Sequence, residues 1–117
     1  MGVVVYGIPN CDSVKKARTL LTEQGIAYEF HDYKKHGVPE TLLRPWVKAR
    51  GWETLLNRKG STWRALEDAE KAAVVDAASA VKVMLANPSI IKRPVVTMDN
   101  LLVVGLDDIA LITGPAK

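Results

Sequence analysis

Apolar residues recur along the chain with two different spacings. A β-branched run, Val3–Tyr6, predicts a buried strand. The next segment has apolar residues at helical spacing and ends at Gly25, which predicts an amphipathic helix with a left-handed C-terminal glycine. Ile26–His31 then alternates between apolar and polar residues, as a second strand does. Strand, helix and strand at this spacing indicate a βαβ unit with parallel strands and a right-handed crossover. The apolar helix positions are Val14, Ala17, Leu20 and Leu21.

The middle of the chain, from Pro39 to Asn87, carries mainly helical patterns. The polar stretch before it, Asp32–Gly37, is predicted to be a loop. In the first helix of this region, Pro45 must either lie in the first turn or kink the helix. Further elements are predicted as follows: an apolar helix face at Leu42, Leu43, Trp46 and Val47, a helix end at Gly51, a short helix at Thr54–Arg58, an N-cap at Ser61 before Trp63 and Leu66, and a helical run Ala72–Ala86 that Asn87 and Pro88 end.

The last part of the chain returns to strand patterns. Pro94–Met98 and Leu101–Val104 flank Asp99 and Asn100, which predicts a hairpin with a two-residue turn. Gly105 ends the hairpin, and the acidic start of Asp107–Ile112 predicts a final helix. The order β-α-β, helices, β-β-α predicts an α/β domain with a mixed sheet.

Composition narrows the class of protein. A chain of 117 residues with 48% hydrophobic and 25% charged residues is typical of one soluble globular domain. The net charge of +3 is too small to indicate nucleic-acid binding. A single cysteine excludes an internal disulfide and favours a reducing compartment. Without a signal-peptide pattern or an apolar stretch of membrane-spanning length, we expect a cytoplasmic protein with no membrane partner.

That single cysteine, Cys11, lies where the first strand turns into the first helix. Unpaired N–H groups and the positive end of the helix dipole stabilise a thiolate there, and Lys15 and Lys16 add positive charge. The alternative is a small buried hydrophobe, but the polar neighbours of Cys11 favour a functional thiol. Because Val14 occupies the place of the second cysteine in a Cys-x-x-Cys motif, an external thiol must resolve any adduct on Cys11.

Other candidate residues are ambiguous from the sequence alone. Arg58, Arg64 and Arg93 each lie beside a turn or an element end, where a guanidinium could bind an anion or simply be solvated. Pro94 is acceptable as the first residue of a strand, and most X-Pro bonds are trans. The tryptophans are expected in the core of the helical layer. His31 and His36 lack partners at metal-ligand spacing, so no metal site is predicted.

One resemblance is carried by five segments of the chain: Tyr6–Cys11, Leu55–Gly60, Asn87–Pro88, Ile91–Val96 and the pair Val104–Gly105. Together these segments resemble the arsenate-reductase-like (ArsC/Spx/YffB) family, with the YffB branch most similar. The resemblance spans nearly the whole chain in order. It implies a thioredoxin-like fold, a four-stranded mixed sheet (βαβ…ββα), with an all-helical insertion at about residues 39–87 of one domain, 1–117. It also implies a cis peptide at Arg93–Pro94.

The same resemblance implies roles for individual residues. Cys11 matches the nucleophile of the family, and Arg58 and Arg93 match two arginines of the oxyanion pocket of arsenate reductases. The third arginine of that pocket is missing, because Val104, Gly105 and Leu106 form the corresponding turn. Asn10 is expected to help stabilise the thiolate, and Pro94 to present the Arg93 backbone to glutathione.

Three functions remain open at this stage. The first is a glutathione-dependent monothiol reductase that uses Cys11, with glutathione as co-substrate, no bound cofactor, and a glutaredoxin, an oxidised protein or an oxyanion as further partner. The second is an arsenate reductase with two arginines. The third is a non-enzymatic regulator that binds RNA polymerase.

Overall fold

The computed structural model describes residues 2–99 and 101–113. This described part of the chain divides into two compact units. The first unit combines the beginning of the chain, up to His36, with its last part from Arg93 onward. The second unit is Gly37–Lys92. The helical insertion predicted at about 39–87 therefore falls inside the second unit.

The first unit is built on a mixed sheet. Its strands, as far as the chain is described, follow the order β2-β1-β3-β4. β1 is parallel to β2 and antiparallel to β3, and β3 is antiparallel to β4. This arrangement confirms the predicted α/β class and the mixed thioredoxin-like sheet. The strands are β1 (Val3–Gly7), β2 (Glu29–Asp32), β3 (Val95–Met98) and β4 (Leu101–Val104).

The amphipathic helix α1 (Asp12–Glu23) packs on this sheet. Val14, Ala17 and Leu21 on its buried face form a cluster with sheet valines such as Val5 and Val96. Burial of this apolar stripe is the main contribution that holds helix and sheet together.

Helix α1 ends as the sequence predicts. Gly25 has φ +70°, and its N–H donates to the Thr22 carbonyl at 3.0 Å while the Ile26 N–H donates to the Leu21 carbonyl at 2.9 Å. These two bonds form the glycine-dependent cap that satisfies the last carbonyls of a helix. Because Ile26 is engaged in this cap, β2 begins at Glu29 and not at the predicted Ile26. It ends at Asp32, one residue beyond the predicted end at His31.

The stretch Asp32–Gly37 is not the predicted loop. Tyr33–His36 forms a single helical turn, α2. The Asp32 carboxylate accepts hydrogen bonds from the Lys34 N–H at 2.9 Å and the Lys35 N–H at 3.3 Å. An aspartate that caps free N–H groups in this way stabilises the start of a helix.

The C-terminal part of the first unit follows the prediction in outline. In the hairpin turn Asp99 has φ 53°, while Asn100 lies outside the described residues. The final helix begins as a 3₁₀ turn, Leu106–Asp108, before α8 (Ala110–Thr113).

The second unit is helical and has its own buried side chains, among them Leu43, Leu55 and Met84. None of the described helices of either unit is long and apolar enough to cross a membrane. The helices of this unit are α3 (Glu40–Arg50), α4 (Trp52–Leu55), α5 (Ser61–Ala65), α6 (Asp68–Ala72) and α7 (Ala77–Ala86), with a 3₁₀ turn at Pro88–Ile90.

Two helix boundaries in this unit differ from the prediction. The helix predicted at Thr54–Arg58 ends at Leu55, since Leu56 forms a β-bridge with Ile91. Ser61 is the first residue of α5, and the N-cap position belongs to Gly60.

Two further observations concern the helix interiors. Pro45 lies inside α3, so the first of its two predicted places, the first turn of the helix, is excluded. The run Ala72–Ala86 is interrupted, because Asp76 caps α7 by accepting the Ser79 N–H at 2.9 Å. The stop at Asn87 and Pro88 is confirmed.

Candidate active site

One end of the sheet collects several turns of the first unit. Gly7 at the end of β1 pairs with Asp32 at the end of β2. Tyr6 pairs with Val95 at the start of β3, which in turn pairs with Val104 at the end of β4. The turns that follow β1, β2 and β4 therefore lie at the same end as the peptide that precedes β3. We refer to this as the Gly7 end of the sheet.

Cys11 lies at this end, as the N-cap residue of α1. Its backbone is extended, with φ −82° and ψ 128°. Its N–H donates to the Ile8 carbonyl at 3.1 Å, and its carbonyl accepts the Lys15 N–H at 2.9 Å. The side chain is half-buried and packs against the core cluster of the first unit. The thiol is thus held at a helix N-terminus, where backbone N–H groups and the helix dipole favour an anion.

The residues around the thiol are polar, as the sequence indicates. Asn10 and Asp12, on either side of Cys11, are both exposed to solvent. Gly7 explains how the turn fits so closely on the helix: a Cβ atom at Gly7 would lie 2.6 Å from Val14 Cγ2. Only glycine allows β1 to end this close to the first turn of α1.

The Arg93–Pro94 peptide is cis, which confirms the expectation from the family resemblance. Pro94 is buried, and its carbonyl accepts the Gly105 N–H at 2.8 Å. Arg93 is half-buried. The hydrogen bond to Gly105 ties the start of β3 to the turn after β4, at the Gly7 end.

Tyr33 is a neighbour of this site that the sequence reasoning missed. It is only 1% exposed, and burial raises its pKa far above the ordinary value of 10.0. The positive charge of Arg93 acts on the same pKa in the opposite direction. Tyr33 is therefore a neutral phenol within electrostatic reach of the Arg93 guanidinium. The sequence signal that could have indicated Tyr33 is a large aromatic residue directly after Asp32, the aspartate that caps α2.

Aromatic rings from β1, β2 and α2 also lie close to one another in the first unit. The ring centroids of Tyr6 and His31 are 5.1 Å apart, and those of His31 and His36 are 5.7 Å apart. In residues 2–99 and 101–113, no three His, Cys, Asp or Glu side chains are grouped so that they could hold a metal ion.

Arg58 belongs to the second unit, where two residues of α4 contact it. Its guanidinium lies 5.3 Å from the Trp52 ring centroid and 3.9 Å from a carboxylate oxygen of Glu53. About half of the Arg58 side chain is exposed, so both interactions are screened by water. Arg58 also lines a concavity with Lys59 and Lys92. The second unit thus presents a cationic surface of its own around Arg58.

Of the five predicted site residues, the structure brings four to the Gly7 end of the sheet: Asn10, Cys11, Arg93 and Pro94. A thiol at a helix N-terminus is suited to nucleophilic thiol chemistry, and the cis peptide before Pro94 lies at the same end of the sheet. The fold and this arrangement define a thioredoxin-like α/β protein with a single candidate nucleophile.

Comparison with known proteins identifies the family. The sequence profile of the ArsC family matches residues 6–111, and the chain belongs to this family. A protein of uncharacterised function from Haemophilus influenzae is 36% identical over 106 residues, which cover 91% of this chain and 92% of that protein.

Two solved structures are also similar. A YffB protein has 47% sequence identity and a TM-score of 0.88, with 96% of this chain and 99% of that chain covered. An arsenate reductase (ArsC) related protein from Brucella melitensis has 51% identity and a TM-score of 0.72, with 90% and 87% covered. At the level of the family, these similarities support a thiol-dependent reductase.

Proposed function

We propose that this protein is a glutathione-dependent thiol reductase in which Cys11 is the nucleophile. The observation that carries the proposal is the place of the chain's one cysteine at the N-cap of α1, at the sheet end that also holds the cis peptide before Pro94. Membership of the ArsC family supports the same class of reaction.

The proposed reaction is a pair of thiol–disulfide exchanges. The Cys11 thiolate attacks one sulfur of a substrate disulfide, so that a Cys11–substrate disulfide forms and the other sulfur leaves as a thiolate. Because the chain has no second cysteine, a glutathione thiolate attacks the Cys11 sulfur, releases the substrate thiol and leaves Cys11 bound to glutathione. A second glutathione then frees Cys11. In the net reaction the substrate disulfide gains two electrons, and two glutathione molecules become glutathione disulfide.

In this proposal the other site residues bind and orient glutathione or the substrate, or stabilise the thiolate. Arg93 supplies a guanidinium for a glutathione carboxylate or a substrate anion, because its planar fork binds carboxylates through two parallel hydrogen bonds. Arg58 is the second proposed anion-binding residue. Asn10 and the N–H groups of α1 stabilise the thiolate. The peptide bond before Pro94 pairs with the γ-glutamyl-cysteinyl backbone.

Mass spectrometry after incubation with glutathione disulfide tests the first step. We expect one glutathione adduct per chain, located on Cys11, and its loss when reduced glutathione is added. The Cys11→Ser variant is the matched control and should carry no adduct. In a coupled assay, the wild-type protein should consume reduced glutathione with a disulfide substrate, and the variant should not. An unmodified Cys11 at millimolar glutathione disulfide would refute the proposal.

Arsenate is a second candidate substrate, because the 51% identical Brucella melitensis protein is an arsenate reductase (ArsC) related protein. In that reaction Cys11 would displace water from arsenate, and two glutathione molecules would supply the two electrons that give arsenite. The turn Val104–Leu106 lacks the arginine that the family resemblance implies for an arsenate pocket, which favours the disulfide substrate. Parallel assays with arsenate and with a disulfide distinguish the two.

A further inference from the structure

A groove runs along the exposed side of α1, and its floor is apolar. It is lined by five residues of the first unit and has a volume of about 330 Å³, at the lower end of the range for ligand pockets. Leu20 and Leu106 are half-buried and pack against the same core cluster as Cys11. We call this the α1–Leu106 groove; its lining residues are Lys15, Lys16, Thr19, Leu20 and Leu106.

The groove begins one helical turn after the candidate nucleophile. The Lys15 N–H bonds to the Cys11 carbonyl, so Cys11, Lys15 and Thr19 follow one another at intervals of four residues on one face of α1. At a rise of about 1.5 Å per residue, the groove lies roughly 6–14 Å from Cys11 along the helix axis. An extended peptide spans this distance with about two to four residues.

Leu106 reaches the groove because of the turn after β4. Gly105, with φ +88°, reverses the chain there, and the 3₁₀ turn that starts at Leu106 packs against α1. The turn in which the family resemblance implies an arginine, Val104–Leu106, therefore places a leucine on the groove floor. An apolar side chain here favours an apolar group of the partner over a small oxyanion.

The charges around the groove indicate the charge of the partner that it would bind. Lys15 and Lys16 are exposed at its edge, and the described residues that line it include no carboxylate. Glutathione has carboxylates but no apolar side chain to place between Leu20 and Leu106. A protein segment with an apolar side chain between acidic residues satisfies both features, because its carboxylates face the two ammonium groups.

We propose that the α1–Leu106 groove docks an acidic segment of a protein substrate, whose apolar side chain enters the groove two to four residues from the oxidised cysteine that Cys11 attacks. This inference rests on the proposed function for the attack by Cys11. It assigns the substrate class, an oxidised cysteine in an acidic and apolar protein segment.

Peptides activated as mixed disulfides with thionitrobenzoate test the groove directly. Cys11 attacks the peptide sulfur, the Cys11–peptide disulfide forms as the peptide–thionitrobenzoate bond breaks, and the coloured thiolate that leaves reports the rate. The first two peptides each contain a leucine between two aspartates. The leucine lies three residues before the cysteine in one peptide and three residues after it in the other. Matched peptides replace the aspartates by lysines or the leucine by glycine. Each rate is divided by the rate with glutathione disulfide, which corrects for changes in Cys11 itself.

For one of the two leucine positions, before or after the cysteine, we expect the aspartate–leucine peptide to react at least about tenfold faster than either matched peptide. Leu106→Ser should remove the preference for leucine. The double variant Lys15→Glu and Lys16→Glu should reverse the charge preference and select the lysine peptide. Lys48→Glu with Lys82→Glu changes the net charge equally at exposed positions of the second unit, and should keep the wild-type preference.

Equal normalised rates for all peptides would overturn the groove, even if glutathione turnover is normal. So would a charge preference that survives the Lys15 and Lys16 reversal. If the peptide adduct forms with the expected preference but glutathione does not release it, the groove stands and the glutathione dependence of the proposed function fails. Circular dichroism of each variant shows that a changed preference arises in a folded protein.

Discussion

Gly7 has no room for a side chain at the junction of β1 and α1. In the Gly7→Ala variant the new Cβ atom would lie 2.6 Å from Val14 Cγ2 and 3.4 Å from Val14 Cγ1. Val14 is fully buried in the core cluster, and Gly7 is held by its pairing with Asp32. Because neither side can give way freely, we expect the free energy of unfolding to fall by about 1–3 kcal/mol, the usual cost of an overpacked core.

Urea denaturation followed by circular dichroism measures this loss, and iodoacetamide alkylation measures its effect on the site. Val14 lies three residues after Cys11 on the same helix, so a displaced α1 should also slow alkylation of Cys11. The control is Gly2→Ala, because a Cβ atom at Gly2 has no neighbour within 4 Å. This control should change the free energy of unfolding by no more than about 0.5 kcal/mol.

The double variant Gly7→Ala and Val14→Ala gives the decisive comparison. If the two side chains collide, removing the Val14 methyl groups makes room for the alanine. The double variant should then be more stable than the sum of the single changes predicts, by about 0.5–3 kcal/mol. Strict additivity, or a Gly7→Ala protein as stable as the wild type, would refute the steric explanation.

Three further predictions follow from the two units. Arg93→Ala should weaken glutathione binding without preventing folding. Arg93→Lys should restore the binding only in part, because an ammonium group lacks the planar fork of a guanidinium. A glutathione titration beside a thermal melt measures both effects, and unchanged glutathione affinity in both variants would remove Arg93 from the site. Leu106→Arg should raise arsenate reduction, measured as arsenite formed, whereas wild-type turnover as fast as that of the variant would contradict the role of this turn. The hydrogen bond from the Ser79 N–H holds the pKa of the Asp76 carboxyl below its ordinary value of 3.8. The charged carboxylate therefore stabilises the folded state above pH 3.8, and this contribution is lost as the pH falls through the lower pKa of the folded state. Urea unfolding at pH 7 and pH 3 should show that Asp76→Asn loses less stability on acidification than the wild type; equal losses would contradict this.

Much of the candidate site could be predicted from the sequence, because its signals are local. The apolar spacing of α1 and the run Val3–Tyr6 determine where a strand turns into a helix, and Cys11 lies in that turn. Gly25 ends the helix through its own positive φ. Such features depend on a few neighbouring residues and on backbone conformations that only certain residues adopt, so they can be recognised without the rest of the fold. The cis peptide before Pro94 was expected only from the family resemblance.

Only the tertiary structure decided what lies beside these local elements. Tyr33, in a polar stretch predicted as a loop, is buried because β2 carries it to the Gly7 end, within electrostatic reach of Arg93. Leu56 leaves its predicted helix because Ile91, thirty-five residues further along, offers a bridge. Leu106 becomes part of the groove floor only once β4 and its turn pack against α1. These positions depend on pairings between segments far apart in the chain, and no periodicity within one segment encodes which distant segment will satisfy its hydrogen bonds or cover its apolar surface.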